Sequence, residues 1–266
     1  MIVSDELREL ADLNLAESTR QHARWLPGYA IEERDGMLFC ASGTRAPVAP
    51  FNVALRVGRD QTDAQQLIAE AKAFFAARNR GFAIQIRGYL DPDLYYACQI
   101  EGFACMSGRA PGMIRTERLA PPTLPSHVQM RPVTLASAHD FVGVSALAYE
   151  SSGLAPAVCR KALSLPERWL NPAWQARVLY DADQPVCAAA ILYSHGIAGI
   201  YWVGTVPAAR GKGYAEAIMR AVTNEAFDRG ARAVVLQAST MGEPIYTRLG
   251  YVEMTTYPWF MVPHDG

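Results

Sequence analysis

The sequence lacks paired metal-ligand spacings, an excess of either charge and any apolar run of membrane length, and each gap removes a class of function. Five cysteines (Cys40, Cys98, Cys105, Cys159 and Cys187) form an odd, scattered set without a Cys-x-x-Cys pair. Neither a disulfide framework nor a zinc site is expected from them, and reduced thiols are the simpler reading. The five histidines are equally dispersed, with no His-Glu-x-x-His spacing, so no metal is expected. Lys and Arg total 25 against 26 Asp and Glu, a formal net charge of -1. Such a balance offers no field to hold nucleic acid or an anionic membrane, and neither is an expected partner. The longest apolar run, Val186 to Tyr193, is too short to cross a bilayer. The opening Met1-Ile2-Val3-Ser4-Asp5-Glu6 turns acidic at once, unlike a secretory signal, and a cytoplasmic location is expected.

What is present is an ordinary globular balance, with 50% hydrophobic and 19% charged residues among 266. The run Leu119-Ala120-Pro121-Pro122-Thr123-Leu124-Pro125-Ser126 carries three prolines and favours extended backbone. It suggests domains at 1–118 and 128–266 joined by a proline-rich linker at 119–127, each domain near the usual size.

After the linker, Val128 to Arg131 looks like a strand and Leu135 to Tyr149 a helix with Phe141, Val144, Leu147 and Ala148 on one face. Pro156 to Leu165 suggests a short helix. Strand-like runs follow at Ala176 to Tyr180, Val186 to Tyr193 and Ile197 to Val206. Ala215, Ile218, Met219, Val222 and Ala226 recur at helical spacing before the stop at Arg229-Gly230. Ala233 to Ala238 reads as a buried strand, Pro244 to Leu249 as a helix and Tyr251 to Val262 as a last strand.

The first half repeats part of this outline. A helix from Asp63 ends in Arg80-Gly81, a strand runs from Phe82 to Arg87, and Ile100-Glu101-Gly102-Phe103 parallels Arg248-Leu249-Gly250-Tyr251. The repeat implies an internal duplication, with chance recurrence of common helix-strand punctuation as the alternative.

Between Tyr201 and Ala215 the chain reads Tyr-Trp-Val-Gly-Thr-Val-Pro-Ala-Ala-Arg-Gly-Lys-Gly-Tyr-Ala. A strand enters a glycine turn that opens a helix, so unpaired N–H groups and the helix dipole converge on one spot. Such a spot suits a pyrophosphate; Gly211 and Gly213 allow close approach, while Arg210 and Lys212 add charge. A Rossmann or Walker site fits worse, since there is no Gly-x-Gly-x-x-Gly and Gly-Lys-Gly is not Gly-Lys-Ser/Thr.

Arg210-x-x-Gly213-x-Ala215 after an apolar strand resembles the Arg/Gln-x-x-Gly-x-Gly/Ala signature of the GNAT superfamily of N-acetyltransferases. Val234-Val235-Leu236-Gln237-Ala238-Ser239 looks like the family's next strand, and Tyr246-Thr247-Arg248-Leu249-Gly250-Tyr251 is similar to its Tyr-x-Arg-Leu-Gly-Phe segment. The resemblance covers about residues 128–262. It implies an α+β fold of mixed sheet, with two GNAT-like acyl-CoA N-acyltransferase domains in tandem, each a mostly antiparallel twisted sheet flanked by helices. It implies acetyl-CoA as cosubstrate, its phosphates on Arg210, Gly211, Lys212, Gly213, Tyr214 and Ala215 and its pantetheine arm beside Gly204, Thr205 and Val206. Ser239 falls where the family often has a polar contact to the pantetheine, although a plain strand-end serine fits as well. Tyr246 falls at the position of the tyrosine that protonates the departing thiolate, with core packing as its other reading. Glu150 is a candidate base for the acceptor amine, with a solvated helix-end carboxylate as the competing reading.

Aligned without gaps on the two helix ends, Gln61, Thr62, Ala64 and Gln66 stand where Arg210, Gly211, Gly213 and Ala215 do. Asp60 and Asp63 would repel phosphates, Thr62 looks like an N-cap, and Cys98 replaces the tyrosine. The first lobe is therefore expected to be a degenerate copy without acyl-CoA. The expected activity is acetyl transfer to a primary amine, of a small molecule rather than a protein lysine or N-terminus, by direct attack. The alternatives are a non-catalytic acyl-CoA-binding regulatory module and a protein lysine or N-terminal acetyltransferase. The chain is expected to be a monomer or a homodimer.

Overall fold

The computed structural model describes residues 3–43, 50–59, 62–107 and 109–263, apart from the side chains of Trp169 and Leu170. By internal packing the chain forms two compact units, one of residues 1–112, 237–240 and 253–266, the other of 113–236 and 241–252. This differs from a single cut at the prolines, because the end of the chain returns to the first unit.

In the first unit, helix α1 (Asp5–Arg24) opens on Ser4, whose side chain accepts from the Leu7 amide. A hairpin of β1 (Ala30–Arg34) and β2 (Met37–Ala41) leads through β3 (Val53–Arg56) to α2 (Ala64–Ala76), β4 (Phe82–Gln85), α3 (Pro92–Ile100) and the short β5 (Ala104–Cys105). Its six-stranded sheet has the order β1-β2-β3-β4-β13-β5, where β13 is Trp259–Val262. Phe260 and Val262 of β13 join Phe39, Phe74, Phe75 and Phe82 in the core, with the Phe75 and Phe82 rings stacked at 4.4 Å.

The other sheet has seven strands, order β12-β6-β11-β10-β9-β8-β7. Its strands are β6 (Pro111–Arg115), β7 (Val128–Pro132), β8 (Trp174–Asp181), β9 (Gln184–Ser194), β10 (Ile197–Thr205), β11 (Val234–Gln237) and β12 (Val252–Thr256). Strands β7 to β10 are antiparallel neighbours, and β10 meets β11 in parallel. Between them run α4 (Ala138–Glu150), α5 (Pro156–Ala162), α6 (Tyr214–Asp228) and α7 (Glu243–Arg248). The α+β class, with two GNAT-like sheets in tandem, is the one expected from sequence.

Three local expectations need correction. The supposed last strand from Tyr251 to Val262 is two strands, β12 and β13, which enter different sheets. Pro258, which has no N–H to give a ladder, stands at the break. Thr62 is not the cap of α2: Asp63 is, accepting from the Gln66 amide at 3.0 Å, while the Thr62 hydroxyl bonds Asp35 O. The proline-rich segment is also tethered at its start rather than free. The Asn224 side chain on α6 accepts from Leu119 N (2.8 Å) and donates to Leu119 O (3.0 Å), and Arg220 donates to Ala120 O.

Buried in the first unit, Asp12 accepts from the hydroxyls of Tyr257 (2.7 Å) and Tyr89 (2.8 Å), with Arg87 4.0 Å away. Burial outweighs these contacts and the nearby Asp91 adds to it, raising the Asp12 pKa from 3.8 to about 6. A carboxyl with a raised pKa holds its proton longer folded than unfolded. Its contribution to stability is therefore full below pH 4 and is lost as pH rises through 6. At about 1.4 kcal/mol per unit, this group makes the fold on the order of 3 kcal/mol less stable at pH 7 than at pH 3.5. In urea titrations, Asp12→Asn should remove that much of the pH dependence seen in the parent; identical slopes would refute the assignment.

The sheet order also makes a prediction about cutting the chain. A fragment of residues 127–266 lacks β6, which stands between β11 and β12, and carries β13 without β4. It should be recovered aggregated or unfolded by size exclusion and circular dichroism, whereas a soluble, cooperatively melting fragment would contradict this topology.

Candidate functional site

Strands β9 and β10 form a hairpin through His195 and Gly196, both at positive φ. Their pairing is regular to Tyr201↔Ala190 and then shifts, so that Gly204 faces Ala188 and Thr205 faces Cys187. Two residues, Trp202 and Val203, thus oppose Ala189 alone, and Trp202 lies at φ 55°. This is a β-bulge, which bends the strand and re-aims the groups beyond it. On the other side, β10 pairs with β11 through Ala198↔Val234 and Gly199↔Val235, near its start.

The pairing separates the three residues that the resemblance placed beside a pantetheine. Val206 donates its N–H to Val186 O at 2.9 Å, so that amide is spent on β9. By alternation Gly204 faces β9 as well, and Thr205 turns its main-chain groups away from β9. Gly204 is glycine for another reason: a Cβ there would lie 2.6 Å from Ala148 Cβ on α4.

After Val206 comes a 3-10 turn over Pro207–Ala209, then Arg210, Gly211, Lys212 and Gly213, which caps α6. Gly211 and Gly213 both have φ near 80°, and space around each is open. The backbone conformation, not crowding, requires glycine at these two positions. With no side chain on Gly213 to cap the helix, the amides of Tyr214, Ala215 and Glu216 stay available at its positive end.

The two cations of the turn are already engaged. Arg210 donates to Thr205 O (3.3 Å), Ala148 O (3.1 Å) and Ser151 Oγ (3.0 Å), pinning the end of β10 to the carbonyl end of α4. Lys212 lies 3.3 Å from Asp181 Oδ2, which also accepts from the Tyr214 hydroxyl at 2.6 Å. These donors hold the Asp181 carboxyl below the usual range, the Tyr214 hydroxyl first among them. An anion at this turn would therefore meet main-chain N–H groups and the dipole of α6 more than free side-chain charge.

Tyr246 sits on α7, 8% exposed, with its ring against Gly242, where a Cβ would come 2.8 Å from the ring. Burial raises its pKa well above 10, so the phenol keeps its proton at neutral pH. Its hydroxyl has no hydrogen-bond partner among the described residues. Cys187 is buried beside it, with Thr205 Oγ1 at 3.2 Å, and burial pushes its thiol up to about 12. Glu150 is exposed on the last turn of α4. Ser239 falls in residues 237–240, which belong to the first unit.

Four residues here escaped the sequence reading: Tyr149, Ser151, Asp181 and Cys187. Tyr149 could have been found, since it follows Phe141, Ser145 and Ala148 at helical spacing on the buried face, beside the exposed Glu150. Asp181 and Cys187 carry no local signal.

The first unit treats the matching place differently. Where β3 and β4 end, Arg56 is fully buried and bonded to both oxygens of Asp93 at 2.7 Å and to Thr62 O at 2.5 Å. Arg87 makes two bonds to Asp91 at 2.8 Å and crosses to Gly58 O at 2.6 Å. Asp60 and Gln61, part of the aligned turn, lie outside the described residues.

A bulged strand that enters a glycine turn at a helix N-terminus, within this sheet order, defines an α+β acyltransferase fold. Residues 194–254 match the family described as acetyltransferase (GNAT) domain. A GCN5-related N-acetyltransferase from Kribbella flavida superposes with TM-score 0.73 at 19% identity, covering 95% of both chains. One from Sphaerobacter thermophilus gives 0.64 at 16%, covering 88% of this chain and 84% of that one. A tandem GNAT protein from the clavulanic acid biosynthesis pathway gives 0.61 at 12%, covering 100% and 98%. No curated protein matches the sequence. Residues 194–254 are thus similar to the GNAT acetyltransferase family, and the whole chain has the fold seen in a tandem GNAT protein.

The two kinds of glycine predict different costs. Gly204→Ala forces α4 from β10 and should destabilise by about 1–3 kcal/mol in urea titrations. Gly213→Asn, at a position asparagine tolerates, should cost less than about 1 kcal/mol. The reverse order would show that α4 does not press on β10.

Proposed function

We propose that the protein transfers the acetyl group of acetyl-CoA to the primary amine of a small molecule, by direct attack while both are bound. The observation that carries this is the strand β10 that leaves β9 at a bulge and runs into an uncapped helix N-terminus. Such a strand offers unpaired amides to an amide-bearing arm, and the helix end offers amides and dipole to a pyrophosphate. Gly211, Gly213, Tyr214 and Ala215 hold the phosphates through their backbone. Lys212 is within reach of the same anion once it leaves Asp181.

The chemistry follows from the groups beside the bulge. An amide of β10 polarises the thioester carbonyl and holds the oxyanion formed when the amine attacks. The C–S bond then breaks, and Tyr246, neutral and without a partner among the described residues, gives its proton to the departing thiolate, while the proton that the amine nitrogen loses passes through water and restores the phenol. Direct attack is supported by Cys187: a thiol raised to about 12 supplies almost no thiolate to form an acyl-enzyme. A small acceptor fits a chain of net charge -1, which has no field to gather a charged polymer. Among the described residues no helix is long and apolar enough to cross a membrane.

Thiol release from acetyl-CoA, followed against a panel of primary amines, tests the proposal. The expected result is turnover with at least one small amine, and a Tyr246→Phe enzyme about 100-fold slower in kcat with unchanged acetyl-CoA affinity by calorimetry. Tight acetyl-CoA binding without turnover on any amine would instead favour the non-catalytic module, and failure to bind would end both readings.

A further inference from the structure

A carboxylate is out of place beside a turn whose amides and charges suit an anion, yet Asp181 stands there. It ends β8 just before Ala182 and Asp183, both at positive φ, and so reaches the turn before α6 from a different element. Its Oδ2 accepts from the Tyr214 hydroxyl at 2.6 Å and lies 3.3 Å from Lys212 Nζ, while Oδ1 lies 3.5 Å from His127 Nε2. Lys212 Nζ also stands 5.8 Å from the centre of the Tyr214 ring. Tyr214 thus holds the carboxylate with its hydroxyl and the ammonium against its face. The other carboxylate in the first turn of α6, Glu216, is directed along the helix to Arg220 at 2.8 Å. Asp183 is paired with Arg131 at 2.6 Å. Asp181 is the carboxylate that faces Lys212, and its hydrogen bonds keep it ionised at neutral pH.

We infer that Asp181 is a tethered counter-anion of this turn: it holds Lys212 while the turn is empty and competes for it with the phosphates of acyl-CoA, so that it weakens their binding and speeds the departure of CoA. The inference rests on the acetyl-CoA reading above and adds a residue that acts against affinity. The empty end of α6 carries partial positive charge, which a nearby carboxylate offsets. When phosphates arrive, Lys212 breaks one ion pair to make another, and the two nearly cancel. The carboxylate, still held by Tyr214, stays behind as a like charge beside them. Removing that charge removes both the competition and the repulsion. Such a device suits a reaction in which CoA is the shared part of substrate and product. Affinity for that part does not raise kcat, and it delays release.

Calorimetric titration with CoA, on the parent, Asp181→Asn, Lys212→Met and the double variant, tests this. Asn keeps an acceptor for the Tyr214 hydroxyl and loses only the charge. Asp181→Asn should bind CoA about fivefold more tightly and release it more slowly in stopped-flow displacement, a gain of about 1 kcal/mol by the tenfold-per-1.4 kcal/mol rule. Lys212→Met should weaken CoA binding less than twofold in the parent but about fivefold in Asp181→Asn, because only there is its ammonium unclaimed beforehand. Acetylpantetheine, which has the thioester arm without phosphates, should bind the parent and Asp181→Asn alike. Should Asp181→Asn fail to fold, Asp181→Ser carries the same expectations. A parent that binds no CoA would overturn the site reading on which this depends. A parent that binds CoA, with Asp181→Asn equal or weaker, would overturn the role of Asp181 alone, as would equal tightening toward acetylpantetheine.

Discussion

One extra residue in β10 decides which way the main chain faces at the site. Along a regular strand, alternate residues turn their N–H and C=O to opposite neighbours. The shift between Tyr201 and Gly204 inverts that alternation for all that follows. It gives the amides of Gly204 and Val206 to β9 and leaves those of Val203 and Thr205 for something else. Every other feature of the site supports this inversion. Trp202 takes the positive φ it requires, Gly204 admits α4 against the bent strand, and Tyr149 and Arg210 take the carbonyls of Val203 and Thr205.

The same logic applies at the turn before α6, where the two side-chain charges already have partners. A guanidinium or ammonium near a phosphate adds attraction, but it must also be held still. Here Arg210 is committed to three oxygens and Lys212 to Asp181, leaving the α6 amides as fixed donors that need no reorganisation. Dipoles fixed by the fold lose little when an anion arrives, whereas exposed side chains give up rotamer freedom. Lys212 is the exception, with a side chain 54% exposed and a partner it can exchange for a phosphate.

The succession of β9, β10, turn, α6, β11 and α7 was legible because each boundary carries its own local signal. Pro207 stops the strand, Gly211 and Gly213 adopt conformations others resist, and Gly230 and Gly250 end their helices at φ 84° and 74°. Strand partners were not legible, because nothing in Trp259 to Val262 says locally that they lie against Phe82 to Gln85. The bulge was hidden for the same reason, since it exists only in the register between two strands. Arg210 and Lys212 were read as phosphate ligands because a sequence shows a charge but not its partner. Asp181 stands 31 residues from Lys212.

The first unit shows what the scaffold becomes when this place is filled from within. At the ends of β3 and β4 stand Arg56 and Arg87, buried and matched by Asp93 and Asp91, where the second unit has Thr205 and an uncapped helix. A buried guanidinium costs least when its donors are satisfied, and Thr62 O and Gly58 O take bonds that the carboxylates do not, although Arg56 Nε has no partner among the described residues. Arg87 thus spends on Gly58 a donor that crosses from one strand end to the other, closing the gap that a ligand would need. Helix α2, which follows β3, is capped by Asp63, a carboxylate where the cap of α6 is Gly213. A negative cap satisfies the amides that an anion would otherwise use. Side chains thus occupy, at both the strand ends and the helix end of the first unit, the places that the proposed function gives to ligand in the second.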